Sequence, residues 1–177
     1  DADFSKIAHR KELVVGQLVY GIKYLFNKHG IKLIEGKGKL VDTNSVEIML
    51  NDGGLERIKA DKIILATGSL PVIPSLFNYD GDRVITSDEA LNIKELPESL
   101  LIIGGGVIGC EFGQFFSNMG TMVTIVEMAD HLLPMEDDDV ATQITYALEK
   151  EGIVIHTGCS VSTVEPSDDK VLIQLSS

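Results

Sequence analysis

The stretch Gly104-Gly105-Gly106-Val107-Ile108-Gly109 constrains this chain more than any other. It matches G-x-G-x-x-G, a pattern that is weak alone and gains weight only from its surroundings. Here the apolar run Leu100–Ile103 precedes it, a helical pattern follows from Val107 to about Asn118, Gly120 ends that helix, and Met122–Val126 reads as the next strand. A strand, a glycine turn, a helix and a second strand within about thirty residues make a βαβ unit. Each glycine has its own physical task. Gly104 turns the chain off the strand, Gly106 lets a pyrophosphate approach the backbone, and Gly109 lets helix and strand pack closely. The first-turn N–H groups then meet the phosphate charge. Gly113 keeps the same helix face thin against the sheet. A glycine-rich strand-to-helix turn with no ligand is the plain alternative.

Glu127 lies 18 residues beyond Gly109 and closes the second strand, near the ~20-residue spacing of the acid that holds an adenosine ribose. A carboxylate there accepts from both ribose hydroxyls and repels a 2′-phosphate, and no arginine follows closely to reverse that preference. The expectation is NAD over NADP. An ordinary strand-end acid facing water is the competing explanation. Glu111, in the opening turns of the helix, is accounted for by the helix dipole alone. Cys110 suits a small apolar filler.

Around this core the pattern divides in two. An apolar stripe of Phe4, Ile7, Val14, Leu18, Ile22 and Leu25 makes the first thirty residues a helix, closed by Lys28, His29 and Gly30. Strand-like runs follow at Ile31–Ile34, Lys39–Val41, Val46–Leu50 and Leu55–Ile58, with Asn51-Asp52-Gly53-Gly54 as a hairpin turn. Residues 62–66 read as a buried strand ending at Thr67-Gly68-Ser69. The Pro- and Gly-bearing stretch from Leu70 to Asp82 reads as a crossover between two domains. Thr86-Ser87-Asp88-Glu89 has capping-box spacing. A last helix spans about Asp138 to Lys150, opened by Asp137 and closed by Gly152, and two strands follow at Ile153–Ile155 and Val171–Ile173.

Fifteen Lys+Arg against 27 Asp+Glu give a net charge of −12, which disfavours nucleic acid and anionic lipid as partners. The near-apolar run from Leu100 to Cys110 is too short to span a bilayer. Cys110 and Cys159 form no Cys-x-x-Cys pair, which with the polar start of the chain points to a cytoplasmic, reducing setting. Glu136–Asp139 reads as helix-start charge and not as a metal site, and His9, His29, His131 and His156 lack ligand spacing.

Taken in order, these motifs resemble the middle of a flavin-dependent disulfide reductase of the dihydrolipoamide dehydrogenase family. Ile64-Leu65-Ala66-Thr67-Gly68-Ser69 with Pro71 and Pro74 is similar to the strand and turn that meet FAD in that family. Gly36-Lys37-Gly38-Lys39 is similar to a loop beside the FAD adenine, and Gly104–Gly113 with Glu127 to the NAD loop. The resemblance implies FAD contacts at Gly38, Thr67, Gly68 and Ser69. It implies NAD contacts from Gly104 to Glu111, with Val107 and Ile108 beside the nicotinamide, and an adenine approach by Val161. It further implies electron flow from dihydrolipoyl groups through a cysteine pair and FAD to NAD. The partners so implied are NAD(H) and lipoyl domains of 2-oxo acid dehydrogenase or glycine cleavage complexes, the parent being a homodimer. The implied fold is α/β: residues 1–75 part of a three-layer β/β/α FAD domain, residues 76–177 a Rossmann-like, doubly wound NAD domain incomplete at its C-terminal end. The FAD pyrophosphate fingerprint, the redox cysteines and the His-Glu base of the family have no counterpart here, so an internal fragment without lipoamide turnover or firm FAD binding is expected. A related reductase (mercuric reductase, NADH oxidase, transhydrogenase), a non-catalytic nucleotide module and a methyltransferase remain open alternatives.

Overall fold

The structure, a computed structural model, describes residues 3–167 and 170–176. It separates into two compact units, one formed by His9–Leu70 and the other by Pro71 onward together with residues 3–8.

The second-named unit carries the glycine turn. Strands β4 (Ser99–Ile103), β5 (Met122–Val126) and β6 (Val154–His156) form a parallel sheet in the order β4-β5-β6. Helices α3 (Val107–Asn118) and α4 (Asp138–Lys150) are the crossovers. A parallel strand is covered on both faces, which is why these strands read as continuous apolar runs. The alternation is visible residue by residue. Leu100 and Ile102 of β4 and Val123 and Ile125 of β5 pack with Cys110 and Phe116 of α3, Leu148 of α4 and Leu132. Leu101 and Val126, turned the other way, pack with Val161, Val164 and Ile173. These last belong to an antiparallel hairpin, β7 (Ser160–Pro166) and β8 (Val171–Ser176), with a register shift between Val161 and Thr163. Sequence periodicity finds β8 but passes over β7. Its Ser and Thr positions dilute the alternation that Val161 and Val164 carry.

In the His9–Leu70 unit, β1 (Gly36–Asp42), β2 (Ser45–Leu50) and β3 (Leu55–Lys59) form an antiparallel meander. The turn residues work as expected: Gly53 takes φ +87°, Leu50 N–H donates to Gly54 O (2.8 Å), and Asp52 accepts from Gly54 N–H (2.9 Å). Helix α1 (Phe4–Lys28) begins in the other unit and carries its apolar stripe in the open, with no buried residue.

Three expectations fail here. Residues 31–34 are not a strand: the meander is β1-β2-β3, and among the described residues none of its strands pairs with them. Residues 62–66 are also irregular, and Ile64 is 91% exposed. An apolar run makes a strand only where a neighbour takes its N–H and C=O groups, and among the described residues none pairs with this one. Gly36–Lys39 is part of β1, with Gly38 opposite Ile48, and not a loop. A methyl group on Gly36 would press on Ile48 Cγ2 (2.9 Å), so close strand packing accounts for that glycine.

Helix ends follow the sequence more faithfully. Gly30, Gly120 and Gly152 take φ of +65°, +97° and +88°. Beyond them Ile31, Thr121 and Ile153 donate back to Phe26, Phe116 and Leu148, the Schellman pattern three times over. Thr86 caps the short α2 (Ser87–Ala90) in a complete capping box: Thr86 Oγ1 accepts from Asp88 N–H and Glu89 Oε2 from Thr86 N–H (2.8 Å).

Candidate functional site

The chain leaves β4 through Gly104 at φ +111°, a value that L side chains rarely adopt. This turn brings Gly109 under the carbonyl of Gly104, and a methyl group on Gly109 would strike that oxygen. Gly113, one turn on, sits 2.9 Å in the same sense from Ile125 Cδ1. Gly106 differs: a methyl group there would meet nothing within 4 Å. It is also the N-cap of α3 and offers no side chain to the first-turn amides, which have no acceptors inside the helix. The result is open space in front of free N–H donors at a positive helix end. That is a fit for a diphosphate.

Two amides of the turn are used within the protein. Gly104 N–H donates to Val126 O (2.8 Å), and Gly105 N–H donates to Glu127 Oε2 (2.7 Å). The donors left for an anion are therefore those from Gly106 onward. Glu127 closes β5 at the same edge and takes a second bond from Ala129 N–H to Oε1 (2.7 Å). A carboxylate has about four acceptor positions, so two remain for vicinal hydroxyls. The acid that spacing selects thus lies beside the glycine turn.

Gly105 is the pivot between turn and loop. A methyl group on it would collide with Leu132 Cδ2, and its carbonyl accepts from Leu133 N–H (2.8 Å) and Cys110 Sγ–H (3.4 Å). Burial, and after it the charge of Glu127, pushes the Cys110 thiol up, so it stays a protonated donor at neutral pH. Cys110 is core packing with one weak hydrogen bond. Leu132 is fully buried, and Leu133 holds φ +53°. Leu133-Pro134 follows the family's order in the sequence, but the left-handed turn at Leu133 and the place of His131 do not stand out there, because a left-handed leucine has no compositional sign.

The other expected residues are distributed as follows. Val107 (56%) and Ile108 (60%) are exposed on the first turn of α3, and Glu111 is exposed one turn later. Glu111 borders a cavity of about 290 Å³ between α3 and α4, with Val107, Gln114, Leu133 and Glu136. That cavity shares Val107 with the first turn of α3 but is not lined by Gly104–Gly106 or Glu127. Val161 is buried against Val126, the residue before Glu127. Asp137 occupies the N-cap of α4 but makes no side-chain cap bond, and Asp138 faces His131 instead. Gly38 lies in exposed strand, and Thr67, Gly68 (φ +73°) and Ser69 lie in exposed coil. Those four form no cradle for a flavin by themselves. Among the described residues no group of His, Cys, Asp and Glu could hold a metal ion, and no helix is long and apolar enough to cross a membrane.

Residues 2–177 match the family model described as pyridine nucleotide-disulphide oxidoreductase. The chain belongs to that family. A dihydrolipoyl dehydrogenase of Acholeplasma laidlawii is 40% identical over 98% of this chain and 51% of its own length. One from Bacillus subtilis (strain 168) is 38% identical over 92% of this chain and 35% of its own. The crystal structure of LpdA from Mycobacterium tuberculosis superposes with a TM-score of 0.90 at 26% identity, covering 99% of this chain and 39% of that one. The chain thus spans between a third and about half of the relatives it matches. For this family the α/β reading and the parallel sheet hold, and members use a pyridine nucleotide with a disulphide, as the family's description states.

Proposed function

We propose that the unit from Pro71 onward binds NAD(H) for a flavoprotein disulfide reductase of dihydrolipoyl dehydrogenase type, with NAD preferred over NADP. The observation that carries this is Glu127, at the C-terminal end of β5, hydrogen-bonded to Gly105 N–H at 2.7 Å beside the uncapped start of α3. The amides from Gly106 to Gly109 take the diphosphate. Glu127 takes the adenosine ribose, and Val107, Ile108 and Glu111 border the path towards the nicotinamide. Val161, packed with Val126, takes the adenine side by the likeness to the family. A 2′-phosphate would meet the Glu127 carboxylate, and no lysine or arginine lies between Glu127 and Lys150 to offset it.

In the whole protein, electrons pass from dihydrolipoyl groups through a cysteine pair and FAD to NAD. FAD supplies the hydride chemistry there, while protein groups bind and orient it. Gly38, Thr67, Gly68 and Ser69 are this chain's share of the flavin contacts, and they need further chain to close around the cofactor. Lipoyl domains of 2-oxo acid dehydrogenase or glycine cleavage complexes are the partners, the protein is a homodimer, and its setting is cytoplasmic. The likeness to dihydrolipoyl dehydrogenases over nearly the whole chain supports this assignment.

Titration of the chain with NADH and NADPH tests the site. NADH binds more tightly, and Glu127→Ala weakens it about tenfold or more, from the loss of hydrogen bonds worth about 1.5–3 kcal/mol to a charged acceptor. Equal affinity for NADPH in the unmutated chain would refute the assignment.

A further inference from the structure

The loop joining β5 to α4 holds an unfavourable conformation. Leu133 is left-handed at φ +53°, a region that non-glycine residues avoid. It is kept there by its N–H on Gly105 O (2.8 Å) and by the burial of Leu132 against Gly105. His131 stands directly before these two residues. Its Nδ1 lies 2.8 Å from Leu132 O. A carbonyl oxygen only accepts, so Nδ1 carries a proton in this geometry. Its Nε2 lies 3.6 Å from Asp130 Oδ1 and 3.7 Å from Asp138 Oδ1, the latter on the first residue of α4. A neutral ring would turn its Nε2 lone pair toward two carboxylates. The imidazolium turns an N–H toward both.

We propose that His131 is a positioning residue: as an imidazolium it ties the β5–α4 loop to the first turn of α4, holding Leu132 and Leu133 on Gly105 and so keeping the Gly105–Glu127 pair set for the dinucleotide. The link to nucleotide affinity rests on the NAD(H) assignment above; the link from His131 to Leu133 does not.

The charges facing the ring are Asp130, Asp138 and Glu127, all acidic. The Leu132 carbonyl first, and then these three carboxylates, hold the imidazolium above the usual histidine range, while partial desolvation opposes them. With the folded value raised, the tie is complete below the ordinary histidine value of about 6.5 and is lost as pH rises through the raised one.

The 177-residue chain, labelled with ¹⁵N, tests this between pH 5.5 and 9. The His131 ring titration, the exchange protection factor of the Leu133 amide and the NADH affinity are followed together. Protection and affinity should each fall about two- to fivefold, the range of a partly exposed ion pair, with the midpoint of the His131 titration. His131→Gln should remove that step and leave the high-pH values throughout. His131→Lys, with a charge that persists across the range, should also remove the step but keep more of the low-pH protection. Asp138→Asn should lower the His131 midpoint and move the protection loss with it. Leu133 protection that stays flat through the His131 titration, or a step that survives in His131→Gln, would overturn the proposal. NADH that fails to bind at any pH would refute the NAD(H) assignment, and the Leu133 exchange would still decide on the tie.

Discussion

Two glycines of one motif differ in what they cost to replace. Gly109 lies against the backbone oxygen of Gly104, which cannot move without unmaking the turn. Gly109→Ala should therefore cost about 1–3 kcal/mol, the range for overpacking, read as a lower urea midpoint. Gly106 faces open space at φ −73°, a value alanine accepts without strain. Gly106→Ala should leave stability within about 0.5 kcal/mol and weaken NADH at least tenfold, because the methyl occupies the path of the diphosphate. Similar losses of stability in both variants would contradict this division of labour. At this scale the sequence carries the motif and the acid at the correct spacing, since both depend on residue type and distance along the chain. It does not carry the use of the Gly105 amide by Glu127, or the left-handed Leu133. Those arise from folding the loop back onto the turn, which no local pattern encodes.

Elements were legible where their ends are chemical and illegible where they depend on a neighbour. The Schellman glycines and the Thr86 box are local, so they stand where the residues put them. Thr86→Ala should cost about 1 kcal/mol, the usual loss for an N-cap, measured by thermal or urea unfolding. The Thr86 hydroxyl and then its N–H hold the Glu89 carboxyl below the usual range, with Tyr79 O–H assisting (3.0 Å). Because that folded value is depressed, the box contributes above the ordinary carboxylate value and is lost as pH falls through the lowered one. In Glu89→Gln the acid-side fall in stability should shrink; an unchanged acid limb would rule out this contribution. Residues 31–34 and 62–66, by contrast, have the composition of strands and no partner among the described residues. Strand propensity describes fitness for a pleated surface, and without the surface it is not realised.

Across the whole molecule, charge and exposure bear on binding more than on fold. A chain of net charge −12 repels an anionic dinucleotide, and the proposed site offers amides and a helix end, not lysine or arginine. NADH affinity should thus stay flat or rise slightly from 20 to 300 mM salt, over which the Debye length shortens about fourfold, the opposite of a site built on cations. A steep fall with salt would point to basic residues as the grip. The parallel sheet was readable from the run of strand, glycines and helix; the doubly wound expectation was not met among the described residues, where helices pack on one face and the β7–β8 hairpin covers the other. The uncovered stripe of α1 and the bare Ile64 were not, because exposure follows from what a residue packs against. The decisive measurement is a crystal structure of the chain with NADH. The diphosphate should lie on the amides from Gly106 onward and the adenosine ribose on the Glu127 carboxylate. A crevice closed by Leu132 and Leu133, with the dinucleotide bound elsewhere or Glu127 turned from the sugar, would contradict it.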